Sequence, residues 1–120
     1  MKVVQLKNEK IAHIQTEEIL VTDLQSALDL MATIQFEYEC HGMIIHKEAI
    51  IEDFFDLSSK LAGEILQKYV NYDMKIAIVG DFSKYTSKAL QDFIYECNNG
   101  KDVFFASSVE EAEEFLVASK

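Results

Sequence analysis

Lys75-Ile76-Ala77-Ile78-Val79, followed by Gly80-Asp81-Phe82-Ser83, decides the fold. Ile76, Ile78 and Val79 are β-branched and no charge follows Lys75, so the run suits a strand buried on both faces. The glycine and the Asp-Phe-Ser after it end the strand and turn the chain outward. Leu90, Phe93, Ile94 and Cys97 then recur at i, i+3, i+4 and i+7, which predicts a helix from about Ser87 to Cys97. Asn98-Asn99-Gly100 is expected to end it in a left-handed stop. Strand, loop and helix in that order form the repeating unit of a parallel α/β sheet.

The alternation extends to both sides. Val103-Phe104-Phe105-Ala106 reads as a strand, and Ser108-Val109-Glu110-Glu111 as a capping box that opens a last helix on Val109, Ala112, Phe115 and Leu116. Upstream, a helix from Ser58 or Ser59 to about Tyr69 carries the stripe Leu61, Ala62, Ile65, Leu66 and Tyr69, and Asn71-Tyr72-Asp73 ends it. Ile50 to Asp56, with Ile50, Ile51, Phe54 and Phe55, fits either a helical turn or a loop tucked into the core. Met43-Ile44-Ile45 is a short strand after Gly42, which breaks a helix on Leu24, Ala27, Leu28, Met31, Ile34 and Tyr38. That helix opens at Thr22-Asp23-Leu24-Gln25, which has capping-box spacing. At the start, Val3, Val4 and Leu6, then Ile11, Ala12 and Ile14, flank the polar turn Lys7-Asn8-Glu9-Lys10 as a β-hairpin. The order β-β-α-β-α-β-α-β-α predicts one α/β domain over residues 1–120, with a mixed, mostly parallel sheet of about five strands and about four helices.

Composition narrows the function. The chain has 120 residues, 49% of them hydrophobic, enough to bury a core without metal or disulfide staples. Eleven basic residues, all lysine, face 21 acidic ones, for a formal charge of -10, which disfavours a phosphate backbone as the partner, so no nucleic acid is expected. Polar residues interrupt every apolar run well before the length of a membrane span or a secretory h-region, so a cytoplasmic protein without membrane contact is expected. Cys40 and Cys97 then read as free thiols, with Cys97 on an apolar helical stripe.

Several groups invite a chemical reading. The loop Gly80 to Ser87 leaves the carboxyl end of a central strand and enters a helix, the place where open α/β sheets bind ligands. Gly80, Asp81, Ser83 and Ser87, with Thr86, Lys84 and Lys88 nearby, are the candidate ligand loop; the plain alternative is a turn glycine followed by capping residues. Neither GxxxxGK[ST] nor GxGxxG occurs. Ser58, Ser59 and Lys60 stand at a helix start behind Asp56, where a phosphoryl group would meet the positive end of the helix dipole; simple capping is the alternative. Cys40, His41 and His46 match no familiar metal spacing, so no metal and no cofactor are expected, and no catalytic residue is assigned. The absence of arginine argues against a phosphoryl-transfer enzyme. Glu110, Glu111, Glu113 and Glu114 read as a solvated face or as a surface for a basic partner.

Phe54-Phe55-Asp56-Leu57, Leu61-Ala62-Gly63-Glu64-Ile65-Leu66-Gln67-Lys68 and Ala77-Ile78-Val79-Gly80-Asp81-Phe82-Ser83 resemble a family of small bacterial proteins known as domain of unknown function 4180, as do Ala27-Leu28-Asp29-Leu30 and Asp92-Phe93-Ile94. That resemblance implies no activity. A broader one is to the STAS fold of bacterial anti-sigma-factor antagonists, which also opens with a β-hairpin. In that fold an Asp-Ser-Ser-Gly-Leu-Gly segment opens a helix, and phosphorylation of a serine in it switches partner binding. Ser58-Ser59-Lys60-Leu61-Ala62-Gly63 is similar in placement, although Leu57 separates Asp56 from Ser58 and Lys60 replaces a small residue. The resemblance makes Ser59 the better candidate phosphosite if Gly63 matches the later glycine, and favours Ser58 if a gap intervenes. Response-regulator receivers are dissimilar, because Lys7-Asn8-Glu9-Lys10 stands where they need an acidic pair and a second strand precedes any helix.

The expectation is a STAS-like regulatory module that binds an unidentified protein partner through Ser58, Ser59 and Lys60. The alternative is a small-ligand or anion sensor, or an enzyme, using Gly80 to Ser87. A homodimer through Phe54 and Phe55 is a further option, set against a core role for both rings.

Overall fold

β4 (Lys75–Val79) and β3 (Gly42–His46) lie side by side at the centre of the sheet, and Met43, Ile44, Ile45, Ala77 and Ile78 are all fully buried. The computed structural model describes residues 1–6 and 10–118. The sheet has five strands in sequential order: β1 (Lys2–Gln5), β2 (Ile11–Gln15), β3, β4 and β5 (Val103–Ala106). β1 pairs antiparallel with β2, and every other neighbouring pair is parallel. The mixed, hairpin-led α/β architecture therefore matches the sequence expectation, while the turn residues Lys7, Asn8 and Glu9 lie outside the described residues.

Sequential parallel strands joined by crossovers of one hand place every connecting helix on the same face. α1 (Leu24–Glu37), α2 (Leu61–Asn71) and α3 (Lys88–Asn98) accordingly share one core with Ala12, Ile14, Met43, Ile45, Ile76, Ile78, Val103 and Phe105. The alternate strand residues face the other way. Ile11, Ile44, Ala77, Val79, Phe104 and Ala106 form a second core with Ala112 and Leu116 of α4 (Val109–Ala118), which lies over β3, β4 and β5. No helix of the described residues is long and apolar enough to cross a membrane.

Several boundaries differ from the sequence reading. Asp23, rather than Thr22, caps α1: its carboxylate accepts from the Ser26 amide, and the Ser26 hydroxyl accepts from the amides of Thr22 and Asp23. α1 ends at Glu37, and Gly42 is the first residue of β3 instead of the helix breaker; Glu39 makes the reversal at φ 54°. Gly100 is not left-handed, because α3 closes through Asn99 in right-handed geometry and no glycine has positive φ. Side chains occupy the left-handed region instead, at Glu39, Lys60 and Asp73. α2 begins at Leu61, three residues after Ser58, because Leu57–Ser59 forms its own 3-10 turn and Lys60, at φ 66°, separates the two. Ile50 to Asp56 contains a 3-10 turn, Glu52–Phe55, that buries Phe54 and Phe55 in the core and so removes them as a dimer surface.

One buried polar contact ties the helical layer together. Tyr69 of α2 is 1% exposed, and its hydroxyl donates to the Ala27 carbonyl of α1 at 2.6 Å. Burial holds its pKa well above the usual tyrosine range, so the group donates at any ordinary pH. Removing this one hydrogen bond with Tyr69→Phe is expected to lower unfolding free energy by about 1 kcal/mol, measured by urea denaturation. Tyr69→Ala also leaves a cavity and is expected to cost about 3–5 kcal/mol.

Candidate functional site

In-register parallel pairing ends β3 and β4 level, His46 beside Val79, so the residues that follow them, Lys47 and Gly80, lie together at the carboxyl edge of the sheet. Lys47 is the one buried charged residue described, at 7% exposure. Its stem crosses Gly80 so closely that a Cβ at position 80 would stand 2.7 Å from Lys47 Cβ and 2.9 Å from its Cδ. The glycine therefore serves to let a lysine pass, a role distinct from turn-making.

The Lys47 ammonium sits under two rings, 5.3 Å from the Tyr85 centroid and 5.7 Å from that of Phe55, and 3.9 Å from Glu52 Oε2. Lys84 lies 5.6 Å from the same Tyr85 centroid. Burial first, then the neighbouring Lys84 ammonium, hold the Lys47 pKa below the usual lysine range, with Glu52 pulling the other way. Tyr85 donates to Glu52 Oε1 at 2.6 Å, and burial together with that carboxylate holds the phenol in its neutral form. Phe55, Phe82 and Tyr85 pack against one another, and Phe82 meets Phe105 edge-on at 5.3 Å, which anchors the loop after β4 to the core.

A cleft of about 350 Å³ opens above this cluster, lined on one side by Glu52, Phe55, Asp56 and Leu57 and on the other by Lys84, Tyr85, Thr86 and Ser87. The two sequence segments singled out above thus approach one another at one edge of the sheet. Of the candidate ligand loop, Ser87 lines the cleft and also caps α3 by accepting from the Leu90 amide at 3.2 Å. Asp81 and Ser83 do not line it. Their side chains close on each other, the Ser83 hydroxyl and amide both donating to Asp81 Oδ1 at 2.6 and 3.0 Å, and these bonds hold the Asp81 carboxyl below the usual range.

Asp56-Leu57-Ser58 repeats that geometry at its own turn: the Ser58 hydroxyl and amide donate to Asp56 Oδ1 at 2.6 and 3.0 Å. Ser59 differs, since its hydroxyl donates to the Asp53 carbonyl at 2.7 Å and accepts from the Leu61 amide at 3.2 Å. Ser58, Ser59 and Lys60 are all exposed, next to the cleft wall formed by Asp56 and Leu57.

The remaining candidates separate. Cys40 is buried and takes a hydrogen bond from Gln5 at 3.4 Å, His41 is exposed, and His46 meets His13 instead, with Nε2 to Nε2 at 2.8 Å. No group of three or more metal-ligating side chains occurs among the described residues. Cys97 is half-buried, and burial pushes its thiol up to about 11, well away from the thiolate form. Sequence reasoning missed Lys47, Glu52 and the His13–His46 pair. Gly80, which makes room for Lys47, is far from it in the chain and gives no linear signal for the first of these.

A family model described as Domain of unknown function (DUF4180) matches residues 6–116. No curated protein matches the chain. Among solved structures, a crystal structure of a candidate anti-sigma factor antagonist from Thermotoga maritima is similar at 14% identity and a TM-score of 0.49, covering 97% of this chain and 93% of that one.

Gly80→Ala forces the Lys47 stem aside and is expected to lower stability by about 1–3 kcal/mol, read by urea denaturation. Adding Lys47→Gly to Gly80→Ala removes the Cβ that is struck, so the double variant is expected to lose less than the sum of the two single changes.

Proposed function

The chain belongs to the DUF4180 family, and we propose that it is a cytoplasmic regulatory module which docks a protein partner at the carboxyl edge of its sheet and is switched by phosphorylation of Ser59. One observation carries this reading: the Ser58-Ser59-Lys60 turn is exposed, and its two hydroxyls sit in opposite surroundings. The Ser58 hydroxyl lies 2.6 Å from the Asp56 carboxylate, which would repel a phosphoryl group. The Ser59 oxygen already accepts from the first amide of α2 and is followed by Lys60, so a phosphoryl group there gains backbone donors and an adjacent cation. Its formation would break the donation from Ser59 to the Asp53 carbonyl and loosen the turn against the Glu52–Phe55 segment that walls the cleft.

The same contrast makes a stability prediction. Ser59→Asp is expected to stay within about 0.5 kcal/mol of wild type, whereas Ser58→Asp, facing Asp56, is expected to cost about 1 kcal/mol or more by urea denaturation. The functional test is phosphopeptide mapping of the protein purified from its own host, with native mass spectrometry of the same sample. Phosphate on Ser59, and a bound protein retained by Ser59→Ala but lost from Ser59→Asp, is the expected result. A partner indifferent to Ser59→Asp, or protein carrying neither phosphate nor companion, would overturn the reading.

A second reading rests on the two lysines that share Tyr85. Adjacent ammonium groups in a chain of charge -10 attract a small anion, and the cleft beside them has room for one. A thermal-shift screen with phosphorylated metabolites separates the readings. An anion sensor is stabilised by a specific compound, and Lys84→Ala abolishes the shift; a flat screen removes this alternative.

A further inference from the structure

Two imidazoles meet on the face of the sheet that carries α4, near the ends of β2 and β3. His13 follows Ile11 by two residues on β2, and His46 follows Ile44 by two on β3, so strand alternation brings both rings out on the α4 side. Both are half-buried, with Nε2 atoms 2.8 Å apart and ring centroids 5.1 Å apart. Those two distances together describe rings aimed straight at each other through Nε2, the arrangement of a linear hydrogen bond. Two N–H groups cannot face each other there, so one nitrogen donates and the other accepts. The parallel pairing of β2 with β3 runs from Ile11–Gly42 to His13–Ile44, and His46 lies two residues past it. The imidazole bond therefore carries the cross-strand connection beyond the last paired residues.

From this geometry we propose that His13 and His46 form a proton-operated latch, which holds the ends of β2 and β3 together near neutral pH and opens in mild acid once both rings are charged. The neutral pair needs a single proton between its Nε2 atoms to stay closed. One further proton goes to a free Nδ1 and leaves the bond intact, now donated by a cation. A second leaves both rings cationic with an N–H on each Nε2, and the facing donors and like charges drive the rings apart. Burial first, then the His46 ring, hold the His13 pKa below the usual histidine range, which places that last step on the acid side. Because the folded-state value is the lower one, the stabilisation is present above the unfolded histidine value and is lost as pH falls through the folded one. The charged groups that surrounding elements present on this face are Lys2 of β1, Glu48 two residues after His46, Asp81 two residues after Val79, and Glu113 of α4, one turn after Val109. Lys2, Glu48 and Asp81 are exposed and Glu113 is half-buried, and no carboxylate hydrogen-bonds to either ring among the described residues. Gln15, whose amide lies 3.4 Å from His13 Nδ1, is neutral. The latch is separate from the cleft at the carboxyl edge and stands or falls independently of it.

The test is a titration of the full chain from about pH 8 to about pH 4.5, followed by nitrogen-15 NMR of the imidazoles and by amide hydrogen exchange read as protection factors. His13 and His46 are expected to titrate as a coupled pair in two steps. Across the second step, protection of the Ile14 and Ile44 amides, at the end of the β2–β3 pairing, is expected to fall at least about tenfold while Ile76 to Ile78 of β4 keep theirs. A glutamine amide both donates and accepts, so His13→Gln and His46→Gln, checked for folding by circular dichroism, each preserve a neutral contact and lack the doubly charged state. In either variant the loss of protection is expected to stay below about twofold. Histidines that titrate singly and independently, or an equal loss of protection in His13→Gln, would overturn the proposal, as would a loss that extends evenly to Ile76 to Ile78, the mark of general acid unfolding.

Discussion

The parallel pairing of β3 with β4 is the constraint on which the rest of this protein depends. Both strands are buried on both faces, so neither can shift by one residue without turning its whole apolar set to the wrong layer. Fixed in that register, the strands end together, and the residues after them have no freedom to be elsewhere. Lys47 falls beside Gly80, the Glu52–Phe55 turn faces the Phe82–Tyr85 loop, and the cleft between them follows from strand length. On the other side of the same strand, the register that pairs His13 with Ile44 brings its ring within reach of His46. The cleft and the histidine contact thus derive from the two ladders, β3–β4 and β2–β3, that meet on β3.

Much of the architecture was legible because its signals are local. Lys75–Val79 and Met43–Ile45 announce themselves as apolar runs too short for helices, and the stripes of α1, α2 and α3 repeat at helical intervals. Helix ends were less legible, since several hydroxyls and carboxylates compete for each cap. Ser26 took part in capping α1 from inside the helix, and Ser59 was drawn into a preceding 3-10 turn by the Asp53 carbonyl. Asn98-Asn99-Gly100 carries the residues of a left-handed stop, yet Asn98 is engaged by the backbone of Phe105 through both its amide groups, and the helix closes without one.

The candidate site was legible by position and illegible by content. The loop after β4 follows from the rule that ligands gather at the carboxyl ends of parallel strands. The site's most unusual member, Lys47, directly after β3, sits in the sequence beside Glu48 and reads as a solvent-facing charge. Only Gly80, 33 residues away and without a side chain, makes room for it, and such complementarity leaves no trace in either segment alone. The histidine pair is hidden for the same reason: it needs the register of two strands, which spacing along the chain does not encode.

The one-sided winding of the connecting helices also bears on how the chain comes into being. During synthesis, residues 1–106 already contain every strand among the described residues and the three helices of one layer, so that layer can close as it emerges. Ile44, Ala77, Val79 and Phe104 on the opposite layer stay bare until residues 109–118 leave the ribosome. For that interval the nascent chain presents a nearly finished sheet with one wet, apolar side. Until the last helix docks, that apolar side is the surface through which two nascent or truncated copies would associate.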